Sequence, residues 1–315
     1  MTTNTTKKDV VSLEQESMLQ SRSPMRIALR RYFKHRMAVF GLFLLLSIFL
    51  FVTVGAAIYS EASGNKTNVL RKEESPSSEY VFGTDQVGRD VLPRMIYGGQ
   101  ISLAIGAISV TISIFVGTLV GLASGYFGGW VDSILSRITE ALLSIPVLIL
   151  LLVLSTVLSR NLTTMNILGR EISATVVVIV GIIGLTSWMQ LSRIVRSLVL
   201  SFKEQEFIVA ARAIGARNRR IILRHILPNC LAPIIVSATL GIGTAIIIEA
   251  YLSFLGFGVR PPTATWGNIL NAAQNNVESR WWLWMIPGSF IIATVLAINF
   301  IGDGLRDALD PRSII

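Results

Sequence analysis

Long apolar stretches alternate with short polar ones along almost the whole chain. Six runs stand out, at about 37–58, 101–123, 141–159, 172–189, 231–249 and 283–302. A bilayer core about 30 Å thick is crossed by roughly 20 apolar residues in a helix, so each run predicts a transmembrane helix. The first run follows 36 residues and is about 22 long. That is too long and too far along for a cleaved leader, and it reads as a retained span. The pattern predicts an all-α, polytopic membrane protein with six transmembrane helices.

The polar segments divide the chain further. Residues 1–20 are polar and mixed in charge, with little to pack, and read as disordered. From Pro24 to Arg36 basic residues interleave with Met25, Ile27, Leu29, Tyr32 and Phe33, which fits a short interfacial helix on an anionic leaflet. The predicted units are a cytoplasmic segment 1–36, a first span 37–58, an outer loop 59–100, a five-helix core 101–303 and a cytoplasmic tail 304–315. The outer loop closes with F-G-T-D-Q-V-G-R-D (82–90), whose glycines and acids predict a fixed turn. Gly117, Gly121 and Gly125 form two overlapping small-xxx-small repeats, a spacing that lets a neighbouring helix backbone approach closely. Pro146 is expected to bend or break the third span.

Composition agrees: 52% of residues are apolar, only 15% are charged and the mean hydropathy is +0.62. The net charge of +9 could suggest nucleic acid, but its distribution speaks for topology. With the N-terminus inside, the cytoplasmic segments carry 19 Lys and Arg and the outer segments 9, which by the positive-inside rule places both termini in the cytoplasm. The single cysteine, Cys230, permits no internal disulfide and reads as an apolar filler.

The segment between the fourth and fifth runs, 190–230, is the least explained by membrane crossing. Leu191, Ile194, Val195, Leu198, Val199 and Phe202 recur at helical spacing, with Arg193 and Arg196 on another face. A short helix at about 206–214 places Phe207, Ala211 and Ile214 on one side. Gly215 breaks it, a third helix follows at about 217–227, and Pro228 is expected to end that helix. Helix, glycine, helix, proline makes an elbow below the membrane. From the residues alone it fits either the groove of a partner protein or the lipid surface.

This elbow is similar to the cytoplasmic signature of ATP-binding-cassette importer permeases, Glu-Ala-Ala, three residues, Gly, nine residues, Ile-x-Leu-Pro. Ala210, Ala211, Gly215, Leu227 and Pro228 match it, while Val209 stands where the family usually has glutamate and His225 where it has isoleucine. G-T-D-Q-V-G-R-D (83–90), G-Y-F-G-G-W-V-D (125–132), L-S-F-L-G-F-G-V-R-P-P-T-A-T-W-G (252–267) and G-D-G-L-R-D-A-L-D-P-R (302–312) extend the likeness. Together they resemble the C-type permease subunit of the dipeptide, oligopeptide and nickel uptake systems, from about residue 25 onward.

The resemblance implies a type I importer permease fold in a prokaryotic inner membrane, with uptake of di- or oligopeptides. It also implies a B-type permease partner, two ATPase subunits and an extracytoplasmic substrate-binding protein. Ala210, Ala211, Arg212, Gly215 and Pro228 become the expected contact with the ATPase. The outer loop 252–267, with Phe254, Phe257 and Trp266, becomes a candidate outer gate or binding-protein contact; a re-entrant loop packed on the bundle fits equally. Asn299 is a candidate for lining the path, and Trp281, Trp282 and Trp284 for an outer aromatic belt. Glu249 and Asp303, at span ends within reach of water, read as capping or packing groups. No catalytic residue, metal or cofactor is implied on this chain, and ATP hydrolysis falls to other subunits.

Rival classes fit less well. A proton-coupled transporter would place paired ionisable groups near mid-membrane, and the second, third and fourth runs have none inside them. Only two histidines, no H-E-x-x-H, no G-x-S-x-G and no phosphate-binding G-x-x-x-x-G-K-[ST] are present, which argues against an enzyme. A channel subunit would not need the elbow.

Overall fold

The computed structural model describes residues 24–159, 163–167, 169–274 and 277–309. The expectation for residues 1–20, and the end of the predicted tail, lie outside them. Five described helices are long and apolar enough to cross a membrane, and a bent pair makes a sixth crossing if counted as one span.

A short helix, α1 (Pro24–Lys34), leads through His35 into α2 (Arg36–Ile58). His35 Nδ1 accepts the Ala38 N–H at 3.1 Å and so caps α2. Tyr32 and Ala38 pack with Ala308 near the end of the last helix, which seats this entry against the bundle. After α3 (Glu61–Asn65) and the outer loop comes α4 (Val91–Phe127), capped by Asp90, whose carboxylate accepts the Leu92 N–H at 3.0 Å. At 1.5 Å per residue its 37 residues extend about 55 Å, well beyond the bilayer core.

The third span is not straight. Helices α5 (Gly129–Leu143) and α6 (Val147–Leu158) meet at 85° across Ser144–Pro146. Pro146 cannot donate a helical hydrogen bond, and the residue before a proline is pushed out of helical geometry. The predicted run 141–159 therefore straddles a break rather than forming one helix. A hairpin of β1 (Thr164–Ile167) and β2 (Arg170–Ser173) follows, a strand pair that the apolar pattern does not predict. Arg170 straps it down through Glu61 at 2.7 Å and Gln100 at 3.0 Å.

Helix α7 (Thr175–Lys203) fuses the fourth run and the amphipathic 191–202 segment into one rod. The elbow then comprises α8 (Glu206–Ala213) and α9 (Asn218–Ile221). A π-helical turn at Ile222–Ile226 joins α9 to α10 (Leu227–Phe254). Pro228 does not end a helix, contrary to the sequence expectation. The Leu227 N–H bonds the Ile222 carbonyl five residues back, so the ladder is already widened where proline offers no N–H. Short α11 (Trp266–Asn271) and the long α12 (Trp281–Leu309) complete the fold.

The glycine repeat decides how α4 meets α7. A Cβ on Gly117, Gly121 or Gly125 would lie 2.8, 2.7 or 2.9 Å from the carbonyls of Trp188, Ser192 and Arg196. The two backbones touch along three turns, as small-xxx-small spacing permits. Three apolar layers result. The outer one gathers Val52, Met95, Trp266 and Trp282; the central one Ile105, Leu151, Ile183 and Leu252; the cytoplasmic one Leu122, Val195, Ile208 and Cys230. Cys230 is fully buried there among aliphatic side chains.

Candidate functional site at the cytoplasmic elbow

The elbow has a fixed underside and an open outer face. Ile208 of α8, Ile221 of α9 and Ile226 of the π turn are buried against Leu122 and Tyr126 of α4 and Val195 and Val199 of α7, and Ala211 of α8 is buried as well. The Tyr126 hydroxyl donates to Asn218 Oδ1 at 2.8 Å, tying α9 to the inner end of α4. The turn between α8 and α9 closes with the Gly215 N–H on the Arg212 carbonyl and the Ala216 N–H on the Ala211 carbonyl, both at 3.0 Å. This paired closure needs a left-handed residue at the glycine, and Gly215 has φ +81°. Nothing stands within 4 Å of where its Cβ would be.

Outward the picture reverses. Phe207, Val209, Ala210, Arg212, Ala213 and Gly215 are exposed, and Ile214 is 86% exposed. The structure therefore separates the sequence candidates: Ala210, Arg212 and Gly215 face out, whereas Ala211 faces the bundle. Phe207 and Ile214 do not share the buried side with Ala211, because Ile208 takes that place. Pro228 is exposed at the start of α10. The outer face exposes Ala210, Ala213 and Gly215 beside the larger Phe207, Val209 and Ile214, with Arg212 among them, and Arg217, Arg219 and Arg220 add exposed positive charge towards α9.

Above the elbow sits a polar node that the sequence reading left unassigned. Arg196 of α7 donates from Nε to Asp132 Oδ1 at 2.6 Å and from Nη2 to Asp132 Oδ2 at 2.7 Å. Ser136 donates to the same carboxylate at 3.1 Å, and Ser124 of α4 also hydrogen-bonds it. Asp132 ends the quoted G-Y-F-G-G-W-V-D motif, and that acid in an otherwise apolar or small-residue string was the available signal. A cleft of about 670 Å³ opens beside the node between α4, α5 and α7. A second cavity, about 650 Å³, lies higher between α4, α6, α7 and α10, lined by the break Ser144–Pro146 and by hydroxyls such as Ser113, Thr186 and Ser237. Gln190 and Ile194 border both.

The outer-face candidates take different places. Trp266 is fully buried; its Nε1 donates to the Met95 carbonyl at 3.0 Å and its N–H to Ser102 Oγ at 3.2 Å. Phe254 is half-buried at the end of α10, and its carbonyl accepts from Asn271 at 2.6 Å. Phe257 is exposed, with its N–H on the Leu252 carbonyl at 2.9 Å and its carbonyl held by Ser155. Glu249 is not within reach of water: it is wholly buried, accepting from Ser102 at 3.2 Å and Ser253 at 2.7 Å. Asp303 is exposed. Trp281 and Trp284 reach the surface, but Trp282 points inward and donates to the Thr84 carbonyl at 3.2 Å, so it leaves the expected belt. Asn299 is half-buried between α12 and α10, opposite Gly243, and borders neither of the two cavities.

The turn at 83–90 is as fixed as its composition predicts. Asp85 Oδ1 accepts the N–H groups of Val87 and Arg89, both at 3.0 Å, and Oδ2 accepts Arg89 Nε at 2.7 Å. A Cβ on Gly88 would collide with the Asn68 carbonyl, so the tight closure admits no side chain there.

Comparison with known proteins agrees in family and fold. Residues 113–315 match the family described as binding-protein-dependent transport system inner membrane component, and residues 23–74 match the N-terminal transmembrane domain of oligopeptide transport permease C. A Brucella suis chain provisionally named a peptide permease protein is 42% identical over 300 residues, covering 95% of this chain and 94% of that one. The dipeptide transport system permease protein of Alkalihalophilus pseudofirmus is 41% identical over 290 residues, covering 92% and 90%. Among solved structures, an inward-facing MetNI methionine transporter superposes with a TM-score of 0.52 at 23% identity, covering 68% of this chain and 95% of the matched chain, a likeness of fold.

Proposed function

The chain belongs to the family of binding-protein-dependent transport system inner membrane components, and from that membership we propose that it is the C-type permease of a peptide importer. In this reading it pairs with a B-type permease, two ATPase subunits that hydrolyse ATP, and an extracytoplasmic binding protein that delivers di- or oligopeptides. Both termini lie in the cytoplasm, 1–36 and 304–315 flank the membrane part, and 101–303 forms the core that carries the elbow. Relatives named for peptide and dipeptide transport support the substrate class.

The observation that carries the coupling role is the asymmetry of the elbow. Its underside is locked to α4 and α7 by buried aliphatic residues and the Tyr126–Asn218 bond, while Ala210, Arg212 and Gly215 project into open space. A helix lying on lipid would also expose apolar residues, but it would gain nothing from a rigid seat. A nucleotide bound elsewhere can shift this bundle only through a contact whose free energy differs between two states, and a rigidly seated helix transmits such a difference. Ala210, Ala211, Arg212, Gly215 and Pro228 make up this segment, with Ala211 acting from beneath.

Co-purification of the permease pair with its ATPase subunits tests the reading, comparing native protein with Ala210→Trp. Because Ala210 is exposed, the indole leaves the fold intact and fills the docking face. Native protein should retain the ATPases and the variant should lose them by at least about tenfold, as for a central interface residue. Equal retention by both would return the elbow to the lipid surface.

A further inference from the structure

Helix α5 is lightly attached to the bundle, and its attachment points to a residue pair with a specific task. Of the 15 residues of α5, only Thr139 is buried. Trp130, Ile134 and Ile138 face outward. Apolar burial therefore does little to hold this helix, and the polar node does more: Asp132 and Ser136 of α5, Arg196 of α7 and Ser124 of α4 converge on one carboxylate.

We propose that the Asp132–Arg196 pair is a positioning link through which movement of the elbow reaches the broken third span. The proposal rests on the importer reading above. Arg196 lies seven residues before the end of the continuous helix α7, and Val195 and Val199 beside it pack in the same cluster as Ile208 of the elbow. Force applied to the elbow thus arrives at Arg196 through close-packed side chains and an unbroken helix. Across the pair stands α5, which ends at the 85° break, and the break itself walls the 650 Å³ cavity. The connected path runs from elbow to α7, through the pair to α5, and on to the cavity wall.

The geometry suits this role. Two parallel N–H···O bonds from a planar guanidinium fix the relative rotation of two helices as well as their distance. The side chains are 20% and 37% exposed, at the margin of the bundle rather than in its core, where water can take over their hydrogen bonds once the pair is lost. Losing it should therefore leave the protein folded while freeing α5 from α7. Lysine at 196 would keep the charge and lose the fork.

The test uses the whole complex in proteoliposomes, measuring ATPase capture, ATP turnover and uptake of a labelled dipeptide delivered by the binding protein. Asp132→Asn and Arg196→Lys should capture the ATPases as native protein does and continue to turn over ATP. Uptake per ATP should fall on the order of tenfold, the upper range for a coupling residue. The reversed pair Asp132→Arg with Arg196→Asp should restore much of that loss. Unchanged uptake per ATP in Asp132→Asn overturns the proposal. So does a fall in ATPase capture that parallels uptake, which marks a merely structural contact, and so does failure of the reversed pair to recover. If native protein captures no ATPase, the importer reading itself falls and takes the proposal with it.

Discussion

Gly121→Ala is the most direct probe of how this bundle is built. The added methyl would lie 2.7 Å from the Ser192 carbonyl oxygen, 2.7 Å from Val195 Cβ and 2.9 Å from Val195 Cγ1. Carbon pairs are comfortable at about 3.5–4.0 Å, so α4 and α7 must separate by roughly 1 Å along their shared seam. Neither obstacle can swing aside, since one is main chain and the other a β-branched Cβ. Overpacking of this kind costs about 1–3 kcal/mol, against at most about 1 kcal/mol regained from helix propensity. Gly181→Ala in α7 is the matched control, because nothing lies within 4 Å of its added methyl. Thermal unfolding of the permease in lipid nanodiscs should show Gly121→Ala lowered by several degrees, at about 2–4 °C per kcal/mol for a chain of this size. Gly181→Ala should be unchanged or raised. If the two variants unfold together, the backbones of α4 and α7 do not touch and the seam described above is wrong.

Substitutions at two further residues address the outer half. Glu249→Ala should destabilise by about 1–3 kcal/mol, because Ser102 and Ser253 lose a buried acceptor; Glu249→Gln keeps one acceptor oxygen and should recover most of that in the same unfolding assay. Asp90, outside the spans, has its carboxyl pushed up by burial against the opposing pull of the Leu92 N–H. With the folded value above the unfolded one, its contribution is full below the unfolded carboxylate range and is lost as pH rises through the folded value. Asp90→Asn keeps the cap without the charge, so its stability relative to native should grow from pH 4 to pH 7. A constant difference across that range would remove the burial argument.

The sequence revealed where the chain meets lipid, and much less of what happens beyond it. Apolar runs located every membrane helix because the bilayer demands them, yet α4 starts ten residues before its run and α7 continues fourteen beyond it. Past the hydrocarbon a helix needs no apolar residues, so composition falls silent while the hydrogen-bond ladder continues. Pro228 misled for a related reason. A proline ends a helix only where the ladder needs its N–H, and the preceding π turn removes that need. The elbow was legible as helix, glycine, helix, but its buried side was not. Phe207, Ala211 and Ile214 satisfy the helical period as well as Ile208 and Ala211 do, and only the positions of Tyr126 and Val199 decide between them.

Trp266 and Asp132 show the same limit from opposite directions. An aromatic residue in an outer loop has the composition of a gate, yet Trp266 is an anchor, because Ser102 and Met95, more than 160 residues away in sequence, supply its partners. Asp132 sits in a string of small and apolar residues where Ser136, one turn on, is its local partner, and it joins two helices only when α7 brings Arg196 alongside. These ties are unevenly spread through the bundle. On the outer side Asp85 fixes its own loop, Glu249 and Trp266 bond to α4, and Arg170 ties the hairpin to α3 and α4, whereas on the other side α5 hangs largely on one carboxylate. A load applied from below should then be taken up at the broken span, where few contacts resist it, and leave the outer loops in place. That distribution of stiffness fits the coupling proposed above, in which the elbow moves and the outer loops stay.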